Sequence, residues 1–505
     1  MTKNGKVYLI GAGPGDPGLL SIKAMECLQI ADTVVYDRLA DPRILSYAKK
    51  DAEMIYVGKA SSQHTMRQPD INNLLVKLAA EGKIVARLKG GDPLVFGRGG
   101  EEAIALLEAK LPFEFVPGIT SAIAVAEYAG IPVTHRNVAA SFAVITGHED
   151  PTKGASTINW SGLATAVDTL VFLMGVENLT NITQQLIAHG RSAETPAALI
   201  RWGTKPEQQT LVTTLGNAAS DVAAAGLKPP AIFIVGNVVK LRDQLTWFDT
   251  KPLFGKTIVV TRARAQASNM TKSLEADGAR VIEVPAIKIV PPANFASLDK
   301  AIDDLVIYKW LVFTSVNGVA YFYDRLFKAG KDARALAHLK IAAIGSETAL
   351  ALNAKGIYAD IVPAAYKAED LAKAMAPQIK QGDRILLARA KIAREILPET
   401  LRSLGAIVDI VTAYETVTDC PNRDILVEAL KNDEVDLVTF TSSSTVTNLL
   451  CALGEDAVLL KKVKTAVIGP VTAATCEKNG LTADINATEF TINGLVEAIN
   501  TYYKE

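Results

Sequence analysis

A chain of 505 residues is longer than one hydrophobic core supports, so two to four domains are expected. With 49% hydrophobic and 21% charged residues it belongs among soluble globular α/β proteins, and no apolar run reaches membrane-spanning length. A net charge of −1 and 6% aromatics argue against a general nucleic-acid binder, and four dispersed cysteines without a C-x-x-C argue against a disulfide framework or a structural zinc site. MTKNGK at the N-terminus has no signal h-region, so a cytoplasmic protein is expected.

The first predicted element is a strand, VYLIG, that enters a glycine turn, GAGPGDPGLL, followed by a helix. The order is that of a dinucleotide-binding fold, and Asp37 in VVYDRL stands where a ribose clamp would. The fingerprint fails at its sixth position, which is Asp16, and Pro14 and Pro17 remove two backbone donors from the segment that would hold a pyrophosphate. Asp16 followed by Pro17 reads instead as a helix N-cap with proline at the first helical position.

Further on, TVVYD, IVARLKG, FEFVPG, FAVITG, TLVFLMG, AALIRWG and AIFIVGNVV alternate with helical stretches, which predicts mainly parallel sheets with their functional loops at the carboxyl ends of strands. TWFDTKPLFGKT has no clear period, and a linker is expected over 243–254. The second half then contains a duplication: 259–287 resembles 385–414, 312–319 resembles 439–446, and 342–361 resembles 466–485, all at offsets of about 125 residues. Two similar α/β lobes around a cleft are predicted, a shape suited to a large ligand.

Three loops of the first half stand out: VGKASSQHTMRQPDIN, ARLKGGDPLVFGRGGEE and FVPGITSAIAVAEYAGIPVTHRN. Glycines around Asp92 let backbone approach a ligand, and Asp92 can accept hydrogen bonds from a ribose. GGDPLVFG lacks the lysine and hydroxyl of a phosphate loop, so these loops suit a nucleoside without a phosphate chain. His64, His135 and His148 lie in the motif loops at spacings that suggest no metal site.

These motifs, in this order over about 5–241, resemble the uroporphyrinogen-III C-methyltransferases of the tetrapyrrole methylase family. Residues 255–505 resemble the uroporphyrinogen-III synthase family through the duplicated TRAR and LARA segments, the FTS and IGxxTA stretches and Tyr414. The resemblance implies a two-subdomain tetrapyrrole methylase fold over 1–242, with subdomains of about 1–117 and 118–242. A two-lobed α/β synthase fold over 255–505 follows, with lobe one at about 255–288 plus 418–505 and lobe two at about 289–417. It implies that hydroxymethylbilane is cyclised to uroporphyrinogen III with inversion of ring D. Two methyl groups then pass from S-adenosylmethionine to carbons 2 and 7, giving precorrin-2 and S-adenosylhomocysteine, with no metal.

The resemblance also assigns residues. Asp37 becomes the proton acceptor and Lys59 the proton donor, and Pro14, Gly90, Gly91, Asp92, Val95, Thr120, Ser121, Met174, Gly203 and Ala231 become cofactor-binding. A substrate with eight carboxylates calls for cations, and Arg38, Lys59, Lys89, Arg98 and Arg136 sit in motif loops of the first half. In the second half Arg262 and Arg389 recur at duplicated positions, Thr348, Ser442 and Thr472 are candidate carboxylate partners, and Tyr414 is a candidate acid for the departing hydroxyl. A homodimer through the methyltransferase half is expected, with no nucleic-acid or membrane partner. Two other readings stay open: a nicotinamide oxidoreductase built on GAGPGD, and a methyltransferase whose second half binds tetrapyrroles without catalysis.

Overall fold

The computed structural model describes residues 5–58, 66–148, 156–262, 264–363 and 368–504. They form four five-stranded sheets clad in helices, a mixed α/β architecture. The chain packs as two compact units. One runs to Lys256 and takes in Leu274–Arg280; the other comprises Thr257–Ser273 and Val281–Tyr503.

The first sheet of unit one contains β1 (Lys6–Gly11), β2 (Thr33–Tyr36), β3 (Glu53–Tyr56), β4 (Ile84–Lys89) and β5 (Phe113–Val116). They run in parallel in the order β3-β2-β4-β1-β5. Alternation of side chains along each strand divides the apolar residues between two faces. Helix α1 (Ile22–Ile30) packs Cys27 and Leu28 against Ile10, Val34 and Leu88. Helices α2 (Gln68–Ala80) and α3 (Gly99–Glu108) pack Leu75 and Leu106 against Val7, Leu9 and Val35 on the other face. The chain therefore leaves β1 toward one face and its neighbour β4 toward the other. Their carboxyl ends form a topological switch point, where open α/β sheets bind ligands.

The second sheet contains β6 (Phe142–Thr146), β7 (Thr169–Leu173), β8 (Pro196–Arg201), β9 (Gln209–Thr214) and β10 (Ala231–Val235), in the order β6-β7-β10-β8-β9. Here the mainly parallel expectation fails: β10 is antiparallel to both β7 and β8, and β8 is antiparallel to β9. The loop 202–208 between β8 and β9 is too short for a crossover helix, so the two strands close as a hairpin. Helix α4 (Ser121–Tyr128) sets Val125 and Ala126 on this sheet beside Ile200 and Ile234.

The stretch expected to be a linker is packed. Phe248 is buried, its ring centroid lies 4.8 Å from that of Tyr128, and Trp247 lies 5.0 Å from Tyr128 and donates its indole N–H to the Glu127 carbonyl at 3.0 Å. Arg242 pairs with Asp249 across the turn. Phe248→Ala is expected to destabilise unit one by about 3–5 kcal/mol, seen as a lowered first transition in calorimetric melting of the full chain. An unchanged melt would show that the segment is only draped on the surface.

Unit two has one sheet of β11 (Thr257–Val260), β12 (Arg280–Glu283), β18 (Leu437–Phe440), β19 (Lys464–Val467) and β20 (Ile485–Asn486), ordered β12-β11-β18-β19-β20. Its other sheet holds β13 (Ile287–Val290), β14 (Trp310–Phe313), β15 (Lys340–Ala343), β16 (Arg384–Ala390) and β17 (Ile407–Thr418), ordered β13-β17-β16-β14-β15. The duplicated sequences occupy equivalent places, with β11, β12, β18 and β19 matching β16, β17, β14 and β15. Strand β13 is an addition, antiparallel to β17. In each sheet the switch point falls between the matching pair, β11 with β18 and β16 with β14.

Candidate functional site

The backbones of Gly11, Gly91 and Gly118 form the floor of the crevice in unit one, with Gly13 beside them. Gly13 and Gly91 make an antiparallel bridge, with N–H to carbonyl distances of 3.2 and 2.7 Å. A Cβ on Gly118 would lie 2.4 Å from the Gly91 carbonyl oxygen, and one on Gly11 would lie 2.5 Å from the Gly118 Cα. Asp92 ties the loops together, its Oδ1 accepting from the Leu94 N–H at 2.8 Å and its Oδ2 from the Gly118 N–H at 3.1 Å. Both oxygens keep lone pairs for a ligand hydroxyl.

Around this floor, Gly90 follows β4, and Pro14 sits half-buried between two glycines of positive φ. Val95 packs on the core under α4, Thr120 caps α4, and Ser121 begins it. Gly203 is needed for close packing, since a Cβ there would meet Val125 Cγ1 at 2.2 Å. Ala231 opens β10 opposite Arg201. Met174 is no core residue: it is 52% exposed on left-handed backbone. Phe96, Arg98, Trp202 and Thr204 share that conformation, and such strain in non-glycine residues collects at ligand-binding loops.

Asp16 does act as a cap, but of a short 3₁₀ turn over Pro17–Leu19, while Ser21 caps α1. It also stitches the two sheets of the unit, accepting from the Tyr128 hydroxyl at 2.8 Å and donating its own N–H to Thr204 Oγ1 at 3.0 Å. Burial, and then Asp16, push the Tyr128 hydroxyl well above its ordinary range. The charges brought to the crevice by Asp16 and Asp92 are negative, and Arg98 is turned onto Glu101 at 2.8 Å. Such a bed repels a pyrophosphate and suits a nucleoside that carries a cation, so the residues fit S-adenosylmethionine. Among the described residues, no group of three or more His, Cys, Asp or Glu side chains could hold a metal ion.

Asp37 follows β2, with its Oδ1 accepting from the Leu39 N–H at 3.1 Å and its Oδ2 lying 3.5 Å from Arg87 Nη2. Arg38 and Arg136 are exposed on loops. Lys59 and His64 lie outside the described residues. Lys89 is not a loop cation for substrate: it ends β4, is buried, and donates to Glu102 Oε1 at 2.7 Å.

In unit two, Arg262, Ser442 and Arg389 lie at the two switch points, and Thr348, Thr472 and Tyr414 lie on or after the neighbouring strands. Arg262 follows β11, where burial draws its guanidinium below the ordinary range and Glu347 opposes the shift. Ser442 follows β18 and caps the helix Ser443–Leu453 in a capping box with Thr445. In the other lobe Arg389 is buried, pairs with Glu395 and donates to the Arg394 carbonyl at 2.9 Å. Thr348 and Thr472 are both buried near the starts of equivalent helices. Tyr414 is buried on β17 beside Ala390, its hydroxyl 3.0 Å from Ser315 Oγ and its ring stacked on Tyr321.

Several residues of these sites escaped the sequence. Ser315 caps the helix after β14 as Ser442 caps the helix after β18, a correspondence already present in the VFTS and TFTS repeat. Arg87 and Lys89 stand two apart on one face of a strand covered on both sides, and such charges need partners. Tyr128 and Thr204 carry no local signal.

A glycine-floored crevice in unit one and a duplicated, two-lobed unit two define an α/β protein of two parts, each with crevices at its sheet switch points. The model of tetrapyrrole (corrin/porphyrin) methylases matches residues 6–219, and that of uroporphyrinogen-III synthase HemD matches 268–497. The chain is 38% identical to porphyrin biosynthesis protein HemD of Ruminiclostridium josui over 98% of each chain. Over 46% of its length it is 55% identical to the uroporphyrinogen-III C-methyltransferase of Priestia megaterium, covering 98% of that protein. The solved uroporphyrin-III C-methyltransferase of Thermus thermophilus with S-adenyl homocysteine is 40% identical over 47% of this chain and 99% of that one, with a TM-score of 0.41. The chain belongs to the tetrapyrrole methylase family through its first half and to the uroporphyrinogen-III synthase family through its second.

Proposed function

We propose that unit two closes hydroxymethylbilane to uroporphyrinogen III with inversion of ring D, and that unit one methylates that product at carbons 2 and 7 to give precorrin-2. The observation that carries the methyltransferase assignment is the crevice floored by Gly11, Gly91 and Gly118 and held by Asp92. S-adenosylmethionine supplies an electrophilic methyl when bound. The glycine floor and Asp92 would seat its nucleoside, with Thr120, Met174 and Gly203 around it. Asp37, at the end of β2, would draw the proton from the pyrrole as its carbon becomes the nucleophile.

In unit two, Tyr414 would donate its phenolic proton to the hydroxyl of the bilane, which leaves as water. Ser315, hydrogen-bonded to Tyr414, would keep that phenol aimed. Arg262 and the capped helix start at Ser442 would hold substrate carboxylates, and much of the acceleration would come from fixing the linear chain in its closing geometry.

Incubation with hydroxymethylbilane alone should give uroporphyrinogen III, and addition of S-adenosylmethionine should raise the product mass by two methyl groups. Calorimetry should detect binding of S-adenosylhomocysteine and none of NAD or NADP. Tight nicotinamide binding, or a bilane that is bound but unchanged, would overturn the corresponding half of the proposal.

A further inference from the structure

Behind Asp37 lies a buried charge cluster that the proposed chemistry does not by itself use. Arg87 and Lys89, two apart on β4, are 3% and 4% exposed, and Glu102 in the first turn of α3 is 0% exposed. Glu102 Oε1 accepts from Arg87 Nε at 3.1 Å, Lys89 Nζ at 2.7 Å and Gln68 Nε2 at 3.2 Å. Its Oε2 is buried and meets no hydrogen-bond partner among the described residues. Burial, reinforced by Arg87, holds the Lys89 ammonium below its ordinary range. Two cations and one carboxylate leave one buried positive charge, and Asp37 is the second carboxylate in contact with the cluster.

The guanidinium of Arg87 is the connection. Its Nε is held by Glu102, its Nη1 donates to the Leu88 carbonyl at 3.1 Å and toward the Val35 carbonyl at 3.5 Å, and its Nη2 faces Asp37. A planar fork fixed on three sides leaves Asp37 few places to rest. A half-satisfied carboxylate with two cations is a costly way to fill a core, and it calls for an explanation beyond packing. We infer that Glu102 is a positioning residue for Asp37, acting through Arg87.

This rests on the reading of Asp37 as the proton acceptor, and a double-mutant cycle separates the two. Methylation of supplied uroporphyrinogen III is measured in the full chain carrying Glu102→Gln, Asp37→Asn, or both, with S-adenosylhomocysteine titrations to report an intact cofactor bed. Glu102→Gln alone is expected to lower kcat at least about tenfold, as loss of catalytic geometry does. In the Asp37→Asn background it should cost less than about twofold more, because the residue it positions is already gone. Additive losses, or a full rate in the single variant, overturn the inference. Full methylation by Asp37→Asn alone overturns the prior reading instead. If Glu102→Gln no longer binds S-adenosylhomocysteine, Arg87→Lys enters the same cycle: it keeps the charge and loses the fork, and the same non-additivity is required of it.

Discussion

Asp37→Asn is expected to lower methylation of supplied uroporphyrinogen III by about a hundredfold to ten-thousandfold, the usual worth of an acid–base group, with S-adenosylhomocysteine affinity nearly unchanged. Asparagine keeps the oxygen that accepts from the Leu39 N–H, so the turn after β2 survives. It removes the charge facing Arg87, so the carboxylate that would take the pyrrole proton is gone while its place is filled. Cyclisation of hydroxymethylbilane by unit two should continue at its full rate, and retained S-adenosylhomocysteine binding shows that unit one has folded. Full methylation would return Asp37 to an ordinary strand-end cap. A cofactor affinity lowered by about 1–3 kcal/mol, the cost of an unmet buried hydrogen bond, would make Asp37 a ribose clamp and revive the dinucleotide interpretation of GAGPGD.

What could be read before the structure was what depends on local pattern. The repeat at about 125 residues announced two like lobes, because equivalent strands and helix starts carry like residues wherever the chain places them. The broken glycine fingerprint turned attention from a phosphate chain to a nucleoside without one. What could not be read depends on partners far along the chain. Lys89 looked like a loop cation because Glu102, thirteen residues on, meets it only when α3 folds over β4. The antiparallel β10 was hidden because its strand signal is the same in either direction. Phe248 sat in an aperiodic stretch, and the ring of Tyr128, more than a hundred residues earlier, helps to bury it, while Trp247 packs edge-on against the same ring and stays partly exposed. A methionine before a glycine fits a core or a loop surface alike, and only its exposure on left-handed backbone takes Met174 out of the core.

Gly118→Ala is expected to weaken S-adenosylhomocysteine binding by at least about a hundredfold, the scale on which a 1 Å displacement of a positioned group is felt. The backbone at Gly118 is not of the left-handed kind, so the effect is one of space. The added carbon would lie 2.4 Å from the Gly91 carbonyl oxygen and 2.7 Å from the Gly11 Cα. None of these backbones is free to retreat. Gly91 is bonded in both directions to Gly13, Gly118 donates to Asp92, and Gly11 pairs in register with Lys89 at the end of β4. Relief must come from parting the end of β5 from the β1–β4 crevice, which widens the floor on which the nucleoside would lie. Overpacking of this kind costs about 1–3 kcal/mol of stability, so the unit should still fold at moderate temperature. Gly100→Ala is the matched control: a Cβ there meets nothing within 4 Å, and the residue lies in α3, where alanine is favoured over glycine. It should bind S-adenosylhomocysteine normally and melt no lower. If Gly118→Ala also binds normally, the three-glycine floor is packing alone, and the cofactor must lie against the loops that carry Met174 and Gly203 instead.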